Sequence, residues 1–198
     1  PGLGRVEGIH RQDGKIVVRA PFEPPVELVP IGPDRLIHLE NGAEFRILGA
    51  GSLEMGRSSE PKRAVARIPE TEHHPLFELE AGRFENAAAA WRRRVQAQPE
   101  AANSEERRAN DLGYRVMELD PAKAVELMRL IAAVFPESSN AHDSLGEAYA
   151  KIGERALAIA EYEQSLKLID ADPQIPAAEK MARRSSAQAQ IAMLRAAK

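Results

Sequence analysis

Leu145-Gly146-Glu147-Ala148-Tyr149, followed by Gly153, Ala158 and Tyr162, decides the fold of this chain. Residues three and four apart on a helix are neighbours, so Leu145, Ala148 and Tyr149 share one face. Gly146 has no Cβ and lets a second helix approach closely. Gly153 suits the left-handed position that closes a helix. Ala158 and Tyr162 lie four apart on the next helix, a small residue beside a large one. The stretch predicts two helices that bury one face against each other and leave a second face in need of a neighbour.

The pattern recurs upstream. Leu112-Gly113 opens a copy that Ala124, Met128 and Pro136 continue. The step from Gly113 to Ala124 is one residue shorter than that from Gly146 to Ala158, which predicts a tightened corner. Gly82, Ala87, Trp91 and Pro99 match a second helix only. The spacing is near 34 residues, the length of a tetratricopeptide repeat (TPR), and the chain resembles that family over 104–136 and 139–172, with a partial copy at 82–99. The resemblance implies a protein-interaction scaffold.

Composition divides the chain. Residues 1–81 hold nine of the fourteen prolines and nine of the thirteen glycines, whereas the remainder is rich in the helix formers Ala, Glu, Arg and Leu. The expected fold class is α+β: a small antiparallel β region over 1–68, a linker over 69–80, and helices from 81 to 198. The helices are expected at 83–97, 104–117, 121–134, 139–152, 155–168 and 176–195. Ser104, Asp120 before Pro121, and Ser138 or Ser139 are the expected N-caps. The final helix reads as the polar-faced cap that a repeat array needs. It has Met181, Ile191 and Leu194 on its apolar positions and Arg183 and Arg184 facing water.

In the β region, Gln12-Asp13-Gly14 and Asn41-Gly42 are hairpin signals. They separate expected strands at 6–10, 15–19, 26–30, 35–39 and 43–48, and 64–68 reads as a last strand. Five or six strands at this spacing suggest a small sheet or partial barrel.

Net charge is −3 with both signs mixed, so nucleic acid is not the expected partner. There is no cysteine, hence no disulfide and no thiolate metal site. No run of about 18 apolar residues predicts a membrane span. The chain begins Pro-Gly-Leu-Gly and reads as a piece of a longer protein.

The stretch Asn110-Asp111-Leu112-Gly113-Tyr114, with 135–149 reading Phe-Pro-Glu-Ser-Ser-Asn-Ala-His-Asp-Ser-Leu-Gly-Glu-Ala-Tyr, is similar to TPR tails on bacterial serine hydrolases. Those tails occur on penicillin-binding-protein-like β-lactamase relatives and on some α/β-hydrolase esterases. The β region, with Gly8 near its start and the strand at 43–48, is similar to a small domain found between such catalytic domains and their tails. The resemblance implies a non-catalytic C-terminal part of a hydrolase, in a periplasmic or extracytoplasmic compartment. A free-standing adaptor would instead be cytoplasmic.

Catalytic candidates are weak. Ser59-Glu60-Pro61-Lys62 fits Ser-x-x-Lys, but it lies among Arg57, Ser58 and Arg63 rather than at the start of an apolar helix, and its partner motifs do not follow. His73-His74 with Glu70, Glu72 and Glu78 offers metal-ligand chemistry on an irregular, proline-bounded segment, where adjacent side chains rarely converge. The third glycine of Gly49, Gly51 and Gly56 is misplaced for a dinucleotide fingerprint. Arg92, Arg93 and Arg94 point in different directions on a helix. No catalytic residue, metal or cofactor is therefore assigned, and the chain is expected not to be an enzyme.

The expected functional surface is the concave face of the first helices: Arg107, Asn110, Tyr114 and Met117, with Asn140, Asp143, Glu147 and Lys151. It would hold a protein or peptide, or the protein's own upstream domain. Tyr114, Asp143 and Glu147 stand where a chaperone-type carboxylate clamp wants amides and cations. Self-association through Trp91, or through an exposed Leu and Ile face, is the alternative. A hydrolase site at Ser59 and Lys62 is a further one.

Overall fold

The computed structural model describes residues 8–22, 25–39, 42–49, 52–57, 63–66, 74–171 and 175–196. Among the described residues, seven strands form an antiparallel meander in chain order: β1 (Gly8–Gln12), β2 (Lys15–Arg19), β3 (Val26–Pro30), β4 (Arg35–His38), β5 (Ala43–Gly49), β6 (Ser52–Arg57) and β7 (Arg63–Ala66). Asp13 and Gly14 have φ of 49° and 80° and pair Gln12 with Lys15, the two-residue hairpin that Asp-Gly predicts. Gly42, at φ 69°, turns the chain into β5.

Strand alternation puts Val18, Leu28, Leu36, Ala43 and Phe45 in one apolar cluster. Lys15–Glu27 and Arg35–Glu44 pair on the other face. Strand β6 is an addition to the expected set. Its signal is the short Leu53-Glu54-Met55 alternation, which places Leu53 opposite Ile47 and Met55 opposite Phe45. Residues 6 and 7 of the expected first strand lie outside the described residues.

Among the described residues, seven α-helices follow: α1 (Pro75–Glu80), α2 (Phe84–Ala97), α3 (Ala102–Leu119), α4 (Pro121–Val134), α5 (Ser139–Lys151), α6 (Arg155–Ala171) and α7 (Ala177–Ala196). The architecture is α+β, with a C-terminal helix on the array. The expected linker over 69–80 is corrected at its end, since 75–80 is helical; 69–73 lie outside the described residues. His74 Nδ1 accepts from the Leu76 amide at 3.3 Å, Pro75 fills the first position, and Gly82 at φ 73° ends the turn. Ser104 is not an N-cap. A 3-10 turn at Pro99–Ala101 feeds directly into α3, and the Ser104 hydroxyl donates back to the Ala101 carbonyl.

The first pair has the tighter corner. Asp120 alone joins α3 to α4: its amide donates to Val116 and its carboxylate accepts from Lys123. Between α5 and α6 the chain uses three residues, with Gly153 at φ 83°. Ser138 caps α5 by accepting from Ala141.

Helix α4 is apolar on most sides because it packs against α2, α3 and α5. Its Ala124, Leu127, Met128, Leu130 and Ile131 join Trp91, Ala141, Leu145 and Ala148 in the main core. Trp91 is 0% exposed and donates to Glu105, which also accepts from Arg94. The helical region is TPR-like: α3–α4 and α5–α6 are successive pairs, each closed at its glycine. A Cβ on Gly146 would stand 3.0–3.2 Å from the Tyr162 ring, and one on Gly113 would stand 2.4 Å from Met128 Cε. Helix α7 covers the last pair with Ala187 and Ile191 against Ala158 and Tyr162. Met181, expected on that apolar side, is 68% exposed, and Arg183 turns inward to Ser139.

The sheet meets the helices at Glu80. Its carboxylate accepts from Arg19 and from the Phe22 amide, while Phe22, at φ 64°, packs on the helical core.

These contacts separate two chemically identical substitutions. Alanine is favoured over glycine in a helix by about 1 kcal/mol. Met128 can swing its flexible end away, so Gly113→Ala should be neutral or stabilising. The Tyr162 ring is fixed in the core, and overpacking costs about 1–3 kcal/mol. Gly146→Ala should therefore lose about 1 kcal/mol net, as measured by urea unfolding.

Candidate functional site

Helices α3 and α5 are the first members of successive pairs and lie side by side. The Tyr114 hydroxyl donates to Glu147 Oε2 at 2.8 Å and lies 3.1 Å from Ser144 Oγ. A phenol has one proton, so the Ser144 hydroxyl donates to Tyr114. One helical turn further along both helices, Lys151 Nζ lies 3.8 Å from Glu118. Tyr114 thus bridges the two helices with its ring partly in solvent. Burial, opposed by the bond from Ser144 and aided by Glu147, pushes its phenol up to about 12, so it remains a neutral donor.

Asp143 sits one turn before Glu147 and accepts no hydrogen bond from another described residue. Burial, then the Glu147 charge, raises its carboxyl to about 6, against the pull of Arg183 on α7. Burial also pushes up the Tyr162 phenol behind this row, with Glu147, Asp143 and Tyr114 adding to it. The row is therefore acidic and hydroxyl-rich, and its Tyr114, Ser144 and Glu147 are held in place by their own bonds.

Tyr114, Asp143 and Glu147 come together, Lys151 lies at the far end of the row, and Arg107 and Asn140 are exposed. Asn110 and Met117 are buried, which corrects their assignment to an open surface. Met117 belongs to the main core, because α3 turns that position toward α4 rather than along the groove. Sequence reasoning misses Ser144 and Arg183. Ser144 precedes the Leu-Gly pair and is 1% exposed, so the repeat pattern hides it as core. Arg183 carries the sequence signature of a solvent-facing residue on a capping helix.

The other candidates fare differently. Ser59, Lys62 and His73 lie outside the described residues. His74 is a buried cap, and desolvation followed by the Arg94 charge lowers its imidazole to about 4. Trp91 is enclosed in the core and has no surface to offer a second copy. Leu119, the last residue of α3, and Ile152, just after α5, remain exposed at 75% and 40%. Among the described residues, no helix is long and apolar enough to cross a membrane.

No family model matches this sequence. No curated protein matches it either. Among solved structures it is similar to the crystal structure of MamA, at 19% identity over 61% of this chain and 73% of that chain, with a TM-score of 0.30. The TPR-like description therefore rests on the helix pairs and their glycine contacts.

The raised Asp143 pKa sets a pH dependence. A carboxyl whose folded value exceeds its unfolded value near 3.8 penalises the fold once ionised, above about 6, and the penalty disappears as pH falls toward 3.8. Asp143→Asn should raise stability by about 1–2 kcal/mol at pH 8, allowing for partial exposure, and by little at pH 4. Thermal melts at both values check this.

Proposed function

We propose that this chain is a non-catalytic interaction scaffold whose α3–α5 face holds a protein segment. The observation that supports this most is the Tyr114–Ser144–Glu147 bridge beside Asp143. It is a polar row fixed before any partner arrives, at the positions where a repeat array presents its first helices. Preorganisation of this kind lowers the ordering cost of binding. An extended peptide, or a segment of an upstream domain of the same protein, fits the row by hydrogen bonding.

The likeness of 135–149 to TPR tails on serine hydrolases supports placing the chain in the C-terminal part of a longer bacterial hydrolase. In that reading the chemistry is performed upstream, and this region positions a partner or braces the catalytic domain. Self-association is a second reading. It is favoured by the exposure of Leu119 and Ile152, near the helix ends where Lys151 lies 3.8 Å from Glu118.

Photo-crosslinking residues at Asn140 and Lys151, with Lys167 on α6 as the control, test the assignment in the full-length protein. The scaffold reading expects crosslinks to one defined segment from the first two positions and none from the control. Equal crosslinking from all three would overturn it. Crosslinks confined to two copies of this chain would favour self-association.

A further inference from the structure

His142 stands on α5 with both ring nitrogens engaged. Nδ1 lies 2.6 Å from Glu161 Oε2 on α6. Nε2 lies 3.1 Å from the Pro136 carbonyl in the corner between α4 and α5. A carbonyl and an ionised carboxylate are both acceptors, and a neutral imidazole carries one N–H. Only the imidazolium can donate to both. We propose that His142 is a proton-operated latch, which when protonated ties α6 and the α4–α5 corner to α5 and when neutral releases one of the two bonds.

The electrostatics agree with this geometry. The bond to Glu161 is the largest influence raising the His142 pKa above 6.5. Burial opposes it, and the Pro136 carbonyl and the Glu161 and Glu137 charges assist. Glu161 faces the ring from α6 and Glu137 from the corner. Glu161 and Glu137 are the charged groups that act on its pKa. Because the folded value is raised, the latch's stabilisation is complete below the unfolded value near 6.5 and is lost as pH rises through the folded value. Asp143 titrates at about 6, so most of its change lies below this window. The latch closes the pair that carries Asp143 and Glu147 and seats α7, so its release loosens the wall of the groove.

Two measurements on the intact chain test the proposal. The first is an NMR titration of the His142 ring, assigned by comparison with His142→Gln. A pKa above 6.5 that falls in Glu161→Gln is expected, and a wild-type value at or below 6.5 would overturn the latch. The second is hydrogen exchange corrected for intrinsic rates. Opening of α5–α6 should increase by up to about tenfold per pH unit as pH rises from about 6.5 to the folded value and level off beyond it, while α3–α4 changes less and Glu161→Gln flattens the slope. An equal slope in both pairs, or an unchanged slope in Glu161→Gln, would overturn it.

Discussion

Tyr162 sits against the backbone of Gly146, its ring atoms 3.0–3.2 Å from where a Cβ would stand. That approach sets the distance between α5 and α6. It also decides what α6 offers on its far side, where Ala158 and Tyr162 meet Ala187 and Ile191 of α7. One missing methyl group thus positions three helices. Since interiors are close-packed, a change of one carbon at this point is transmitted rather than absorbed. The earlier pair relies on the same device in softer form, with a methionine where the later pair has a ring.

Close pairing has a consequence for the groove. With α4 enclosed by its neighbours and α5 drawn against α6, α3 and α5 are left with a shared face that the core does not use. Tyr114, Ser144 and Glu147 bond there, and Asp143 is held where its charge is costly. A partly buried carboxylate without a bonded partner among the described residues is unfavourable for folding. Its presence beside a preorganised bridge is the feature that packing alone does not account for.

The helical pairs are legible in the sequence because each depends on local rules: glycine where backbones approach, a small and a large residue four apart, and a capping side chain at the start. Gly146, Tyr162, Ser138 and Asp120 act as their spacing predicts. The α1 turn is not legible, since its cap is a histidine and its length is barely a turn and a half. Strand β6 has two alternating apolar residues between glycines, too few for the period to stand out. In the groove, sequence position identifies the helix face but not its depth. Asn110 and Met117 lie on the right helix and face inward, because the crossing of α3 over α4 sets where the surface begins. Ser144 and Arg183 act through contacts between helices, which no spacing within one helix encodes.

The central claim is that the Gly146–Tyr162 contact sets the helix pair. A double-mutant cycle combining Gly146→Ala with Tyr162→Leu measures it most directly. If the aromatic ring is what excludes a Cβ, Gly146→Ala will destabilise the wild-type protein. In the Tyr162→Leu background, where a smaller and flexible side chain can move aside, the same change will be neutral or stabilising. An equal penalty in both backgrounds would contradict the account.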